Sequence, residues 1–464
     1  MKMNRREFLA GASALTLAGW REVAEAAGCP AYYADHLARA AARVTGLAKT
    51  CVGGCWFITD PHVRSNHCQS GILLSELVKR TPLKRVLCGG DLTEAFGKGY
   101  PTDRAAVDFA IEKYRSVWVE PIRAAGGAVY TARGNHDFTV CHSYDSPEDK
   151  RKGFTYDGKV AHDLIVARFS EKDVVFNAAD PECCYFYFDV PEEKLRYVVA
   201  DTTDRQRAGD VPWGTVYGVH APQLKWLADE ALAKTPDGWG VVMAYHIPVT
   251  GVVGNVNDRD FGEFRKMLEA YQNHGTCTIA GERRDFAQAR GTILVNLTGH
   301  EHCEMETFQR GLLHVTNPCD AAYRDYINRS RPWCEFPPKT KGTVNEQTFD
   351  AVQFDPVRRL VHFTRIGGGY DRVFHLDPVR VEAGKPRQLA APLLKGTVKW
   401  GCYDADRVTD VPDPRNRYMK LAQYHNDFAT ISADGLLTPL KAGESMAIAM
   451  DAALNKEIFP VTVA

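Results

Sequence analysis

The 464-residue chain has almost no charge imbalance: 57 basic residues against 58 acidic leave a formal −1 at pH 7. Such a balance gives no support to a general electrostatic grip on nucleic acid or an anionic membrane. Long apolar runs are also missing. The run from Phe8 to Trp20 has 13 residues and is too short to span a bilayer. No later stretch reads as a membrane helix. Cysteine is plentiful, at 13 residues, yet its familiar patterns are absent. There is no CxxC pair at zinc-finger spacing, no haem-attaching CxxCH and no iron–sulfur run. A G-x-G-x-x-G fingerprint is lacking too, which removes the usual dinucleotide signature. No internal repeat or low-complexity tract is present.

The N-terminus carries an address. Arg5-Arg6 precede the apolar run, and Ala24-Glu25-Ala26 supplies a small-x-small cleavage site. "NRREFLA" resembles the twin-arginine export signal of bacteria, with Asn4 where Ser or Thr is usual. Residues 1–27 are therefore expected to be an export signal peptide for the bacterial periplasm or the extracellular space. The alternative is an ordinary secretory signal. A lipoprotein site at Cys29 is disfavoured, because Arg21 and Glu22 separate it from the apolar run. Export favours disulfides, with Cys51 and Cys55 or Cys183 and Cys184 as candidates. Packing as small buried hydrophobes is the other reading.

Beyond the signal, "YADHLARAAARV" reads as an amphipathic helix. From about residue 55 to 300, strand-like and helix-like segments alternate. "GILLSELVKR", "DRAAVDFAIEKYRSVWVEPI" and "PQLKWLADEALAK" carry helical spacing. "LLHVTNP", "AVQFD" and "LVHFTRIG" then follow one another as strands, which predicts mixed sheets. Residues from about 380 are less patterned and read as a small C-terminal accessory segment, 380–464.

Five apolar runs share one kind of ending. "ITDPH" delivers Asp60 and His62, and "CGGDLTE" delivers Asp91. "RGNHD" delivers Asn135 and His136. "MAYH" delivers His246, and "TGHEH" delivers His300 and His302. Sites in α/β sheets form where strands deliver their C-terminal ends. Alternation along extended chain would put Asp60 with His62, and His300 with His302, on one side. Leaving His136 aside, the donors are two carboxylates, one amide oxygen and four imidazoles. That set suits two divalent ions with positions left for water and substrate. Two such ions outweigh two carboxylates, and the residual positive charge would attract phosphate.

This ordered set resembles the calcineurin-like metallophosphoesterase superfamily over roughly Cys55 to Phe374. The resemblance implies an α/β fold: a four-layer α/β/β/α sandwich of mixed sheets spanning about 50–376. It implies that Asp60, His62 and His302 bind one metal, that Asn135, His246 and His300 bind the second, and that Asp91 bridges them. His136 would contact substrate or protonate the leaving oxygen, oriented by Asp137. The implied activity is hydrolysis of a phosphomonoester or phosphodiester by a hydroxide bridging two Mn, Fe, Zn or Mg ions. Purple acid phosphatases carry Tyr three residues after the bridging Asp. Here that position is Glu94, so no iron–phenolate colour is expected.

The expected partners are a small phosphate ester and the export machinery. Two rival readings remain. One is an exported redox protein, since twin-arginine export often carries folded cofactor proteins; the absent cofactor motifs oppose it. The other is a binding protein that has lost activity; the complete donor set opposes that. Arg64 and Arg133 flank motifs and are secondary candidates for phosphate contact. Asp201 reads as a turn former, and His67, His142 and His220 as ordinary polar residues. "PWGTVYG" (Pro212 to Gly218) reads either as a substrate-facing loop or as packed surface.

Overall fold

The computed structural model describes residues 28–63, 66–93, 104–137, 161–204, 217–249, 261–321, 337–405, 408–413 and 416–464. The signal-like N-terminus, Arg64, Glu94, His142 and most of the "PWGTVYG" stretch lie outside these residues. Among the described residues no helix is long and apolar enough to cross a membrane.

In chain order the strands are β1 (Gly53–Ile58), β2 (Arg85–Cys88), β3 (Ala128–Thr131), β4 (Val175–Phe176) and β5 (Phe186–Val190). Next come β6 (Leu195–Val199), β7 (Gly240–Ala244), β8 (Thr276–Ile279), β9 (Glu282–Asp285) and β10 (Thr292–Thr298). β11 (Met305–Gln309), β12 (Leu312–Thr316), β13 (Thr348–Asp355), β14 (Leu360–Gly367) and β15 (Arg372–His375) follow. The strand-like runs of the sequence all appear here. They are short, rich in β-branched and aromatic residues, and nearly all buried, as core strands require.

Two large mixed sheets result. In the first, β3, β2 and β1 run parallel, and β13, β14 and β15 continue antiparallel. Residues 456–463 pair with β15, and 443–450 and 399–404 extend the same sheet. The C-terminal segment is thus hydrogen-bonded edge-on to the main sheet. The second sheet has the order β11-β12-β10-β7-β6-β5-β4, with β6, β7, β10 and β12 parallel.

The sheets face one another across a core that holds Phe57 of β1 and Tyr197, Val242 and Leu297 of the second sheet. Tyr130 stacks on Phe188 at 3.7 Å between ring centroids across this layer. The helix Ala34–Leu47 packs on the first sheet, and its Leu37, Ala41 and Val44 are buried. The helix Gly262–Gln272 buries Phe264, Met267, Leu268 and Tyr271 in a separate core outside the second sheet. Helix, sheet, sheet and helix therefore form four layers, the sandwich architecture that the motif order implies.

The parallel runs decide where chemistry can sit. β1, β2 and β3 all end at one edge, as do β7, β10 and β12. Backbone bonds stitch those ends together: Asp60 N–H donates to Gly90 O at 3.0 Å, and Gly299 N–H to His246 O at 2.9 Å.

Cys51 and Cys55 are both buried and form no disulfide with each other. Cys55 and Cys184 sit in the inter-sheet core, while Cys183 lies in the outer core. Adjacent residues in extended chain point to opposite faces, so Cys183 and Cys184 pack as apolar groups in different layers. The disulfide expectation for Cys51 and Cys55 gives way to the buried-hydrophobe reading.

Candidate metal centre

The five motif endings meet at this edge. Asp60, His62, Asp91 and His302 form one compact group; Asp91, His246 and His300 form a second that shares Asp91. Asn135 joins the second group. Its Oδ1 lies 3.0 Å from His246 Nε2 and 2.7 Å from His300 Nδ1. In the first group His302 Nε2 lies 3.1 Å from Asp60 Oδ1 and 3.3 Å from His62 Nε2. Asp91 Oδ2 lies 3.1 Å from His246 Nε2 and 3.9 Å from His62 Nε2.

The way the pairs converge differs from the sequence expectation. Asp60, His62, His300 and His302 lie beyond their strands, not in them. All four have positive φ, between 39° and 69°, and Asp91 has φ 56°. Left-handed backbone at non-glycine residues costs roughly 1–3 kcal/mol each and clusters where the surroundings over-determine it. Tight left-handed turns, rather than strand alternation, fold each D-x-H or H-x-H pair inward. Gly299 permits the closest approach: a Cβ there would overlap Thr59 Oγ1 and Asp60 Oδ2.

Each carboxylate keeps one oxygen braced and one directed at the cluster. Asp60 Oδ2 accepts from Thr59 Oγ1 at 2.8 Å and from His300 N at 3.0 Å. Asp91 Oδ1 accepts from His136 N at 2.7 Å, while its buried Oδ2 faces His246 Nε2 at 3.1 Å. His246 Nδ1 faces Gly89 O at 2.9 Å, which turns Nε2 to the centre. A backbone carbonyl behind a ligand imidazole fixes the tautomer that leaves the other nitrogen free to bind a metal. Adjacent donors around an ion at about 2.0–2.2 Å stand roughly 2.8–3.6 Å apart, from octahedral to tetrahedral geometry. The spacings of 3.0, 3.1 and 3.3 Å fall in that range and the 2.7 Å pair lies just below it, so these residues fit a pair of divalent ions.

The titration behaviour points the same way. Burial raises the Asp60 carboxyl, but His302 and His246 outweigh it and hold the pKa at about 2. Asp91 is likewise held well below its ordinary value against burial, chiefly by His246 and His136. Burial lowers His246, yet Asp91 and Asp60 reverse this and push it up to about 9. His302 is also raised well above 6.5, against burial, by Cys319 and Asp60. Burial and the neighbouring His246 take His300 down to about 3. Two imidazoliums thus neutralise the carboxylates when no metal is bound. Metal ligation needs neutral imidazole, so loading at pH 7.5 should release at least two protons, one each from His246 and His302. Affinity should rise with pH at least to about 9, where His246 loses its proton. Calorimetry of Zn or Mn binding in buffers of different ionisation enthalpy measures this; no proton release at pH 7.5 would contradict it.

His136 stands beside this centre, with its ring at 4.9 Å from that of His62. Burial lowers its pKa to about 4, partly offset by Asp91. The Asp137 carboxylate accepts from the backbone N–H groups of Thr93 and Gly134, both at 2.9 Å. It therefore braces the loop that carries His136 and reaches the imidazole only through the backbone. Burial, reinforced by Asp91, raises the Asp137 carboxyl to about 7.

The secondary candidates fall out differently. Arg133 is fully buried and pairs with Asp201 Oδ2 at 2.5 Å, and its Nε donates to Thr203 at 3.0 Å. It anchors the 201–204 turn. That turn in turn holds the His246 loop, because Thr202 Oγ1 accepts from Ile247 N at 2.9 Å. His67 pairs with Glu346 at 2.6 Å, and His220 lies near Asp204. Tyr217, the described part of the aromatic loop, meets His300 edge-on at 5.5 Å.

Cys319 was not singled out from sequence. Its sulfur groups with the ring nitrogens of His62 and His302. "TNPCD" follows β12, another strand ending at the same edge, and that position was the available signal.

Among solved structures, the phosphopantetheinyl hydrolase of Mycobacterium tuberculosis is similar at 10% identity and a TM-score of 0.27. The alignment covers 57% of this chain and 89% of that one. No curated protein matches the chain. Residues 55–304, more than half of the sequence, match the model of the calcineurin-like phosphoesterases and contain all five motif endings; the chain belongs to that family.

Proposed function

We propose that the protein is a dimetal-dependent hydrolase of phosphoric esters, exported under the signal at residues 1–27. One observation carries the catalytic part: seven side chains from five strand ends meet with Asp91 shared between two donor groups. In this reading Asp60, His62, Asp91 and His302 hold one ion, and Asp91, Asn135, His246 and His300 hold the other. When bound, such ions supply Lewis acidity and lower the pKa of coordinated water to about 7. The chain's own contribution is positioning. Thr59, Gly89 and the His136 and His300 backbone amides lock the donors in place. His136, 16% exposed, borders the substrate side. It is neutral at pH 7 in the free protein, and an arriving phosphate anion favours its protonation and donation to the leaving oxygen.

The test uses purified protein with added Mn, on nitrophenyl phosphate and bis-nitrophenyl phosphate, beside metal analysis. Metal-dependent hydrolysis of either supports the reading. Protein that carries two ions and cleaves neither is a binding protein, and the proposal falls. His136→Ala should keep both metals and lose roughly 100- to 10,000-fold in kcat. Equal loss of metal would instead make His136 a ligand. For export, Arg5→Lys with Arg6→Lys should leave the protein in the cytoplasm of a bacterium competent for twin-arginine transport. Undiminished export of that variant would point to the ordinary secretory route.

A further inference from the structure

Cys319 sits in the turn after β12. The Asn317 N–H donates to Thr298 O at 2.9 Å and the Asp320 N–H to Thr59 O at 3.0 Å, so the turn is clamped between the ends of β10 and β1. Asp320 fixes it further: its Oδ2 accepts from Asn66 at 2.9 Å and from Ser70 at 2.6 Å. Cys319 is fully buried, yet among the described residues it belongs to none of the three apolar clusters. Its surroundings are polar. Sγ lies 3.1 Å from the Asp60 carbonyl oxygen. It also falls with the ring nitrogens of His62 and His302 in a group whose atoms are all within 4.8 Å of one another. A second observation points to an ion here: buried Asp60 Oδ1 lies 3.1 Å from His302 Nε2 and 3.9 Å from His62 Nε2, so the two imidazoles that group with the sulfur also converge on a carboxylate.

We propose that Cys319 is a further ligand, a thiolate bound to the ion that Asp60, His62, Asp91 and His302 hold. This rests on the dimetal reading and adds a sulfur donor to it. Zinc–sulfur and zinc–nitrogen bonds of about 2.3 and 2.1 Å allow two donors on one ion to stand at most about 4.4 Å apart. The sulfur and the His62 and His302 ring nitrogens, all within 4.8 Å of one another, stand close to that limit. On binding, the sulfur–metal bond forms as the S–H bond breaks, and the proton leaves to solvent. The consequence is selectivity. A thiolate favours Zn, Fe or Co over Mg and Mn, while the Asn135, His246 and His300 position keeps only N and O donors. The two halves of the centre are then chemically unequal.

X-ray absorption on full-length protein loaded with Zn alone tests this. The wild type should show a sulfur scatterer near 2.3 Å, averaged over two ions. Cys319→Ser should lose that scatterer and shift Zn-over-Mn competition at least 10-fold towards Mn. The wild-type spectrum is informative even if the variant folds poorly. Two Zn ions per chain with only N and O neighbours would overturn the sulfur ligand and leave the dimetal centre standing. A chain that binds no Zn would overturn both.

Discussion

Asp91→Ala is expected to lower occupancy of both metal positions and to reduce phosphoesterase activity by on the order of 1,000-fold or more. The reason is geometric. Asp91 is the one residue common to both donor groups. Its Oδ2 stands 3.1 Å from His246 and 3.9 Å from His62, which belong to different groups. The substitution also removes the acceptor for the His136 amide, so the candidate acid loses its brace. Asp91→Asn separates these effects: the amide oxygen can still accept from His136, but the bridging charge is gone. Metal content should fall in both variants, while the His136 loop should keep its hydrogen-exchange protection only in Asp91→Asn. In the metal-free protein, losing this carboxylate should also drop the His246 pKa from about 9, a shift that imidazole NMR reads directly. Full occupancy of both positions in Asp91→Ala would refute the bridging assignment.

The meeting of these seven side chains was legible because each is written at the end of a short apolar run, and parallel strands bring such ends to one edge. How they converge was not legible. The period-2 argument treats Asp60-x-His62 as extended chain, whereas the real turn puts both residues at positive φ. Backbone strain of this kind is invisible to periodicity, because it is imposed by neighbouring loops such as Gly299 against Asp60. The place of Asp137 failed to show for a related reason. A carboxylate next to a histidine in sequence suggests a partner for its ring, but backbone amides of Thr93 and Gly134 claimed both oxygens. Cys319 escaped notice because a lone cysteine has no spacing partner; only the parallel pairing of β12 with β10 places it beside His302. The accessory look of residues beyond 380 had a similar origin. Their strands are edge additions whose partners lie far away in sequence.

That addition is held by charges buried behind the metal loop, and the second large expected effect follows from it. Glu304, two residues after His302, lies within 2.6 Å of Arg365, 2.8 Å of Lys456 and 3.0 Å of Arg372. Arg365 also reaches Asp350 at 2.9 Å, Arg372 pairs with the same carboxylate, and Glu306 stands 3.8 Å from Arg372. Three cations face three carboxylates, and all are at most 3% exposed. The network joins β11 of the second sheet to β13, β14 and β15 of the first and to the strand that carries Lys456. Arg372→Met leaves one buried carboxylate uncompensated, which costs about 3–5 kcal/mol. Denaturant midpoints should fall accordingly, with an unchanged slope if unfolding stays two-state. Replacing a whole buried ion cluster by apolar residues is often neutral, whereas removing one member is not. Arg372→Met combined with Glu304→Leu should therefore recover much of the loss. If the single variant costs under about 1 kcal/mol, the cluster is as weakly coupled as a surface pair, and it does not join the C-terminal strands to the two large sheets.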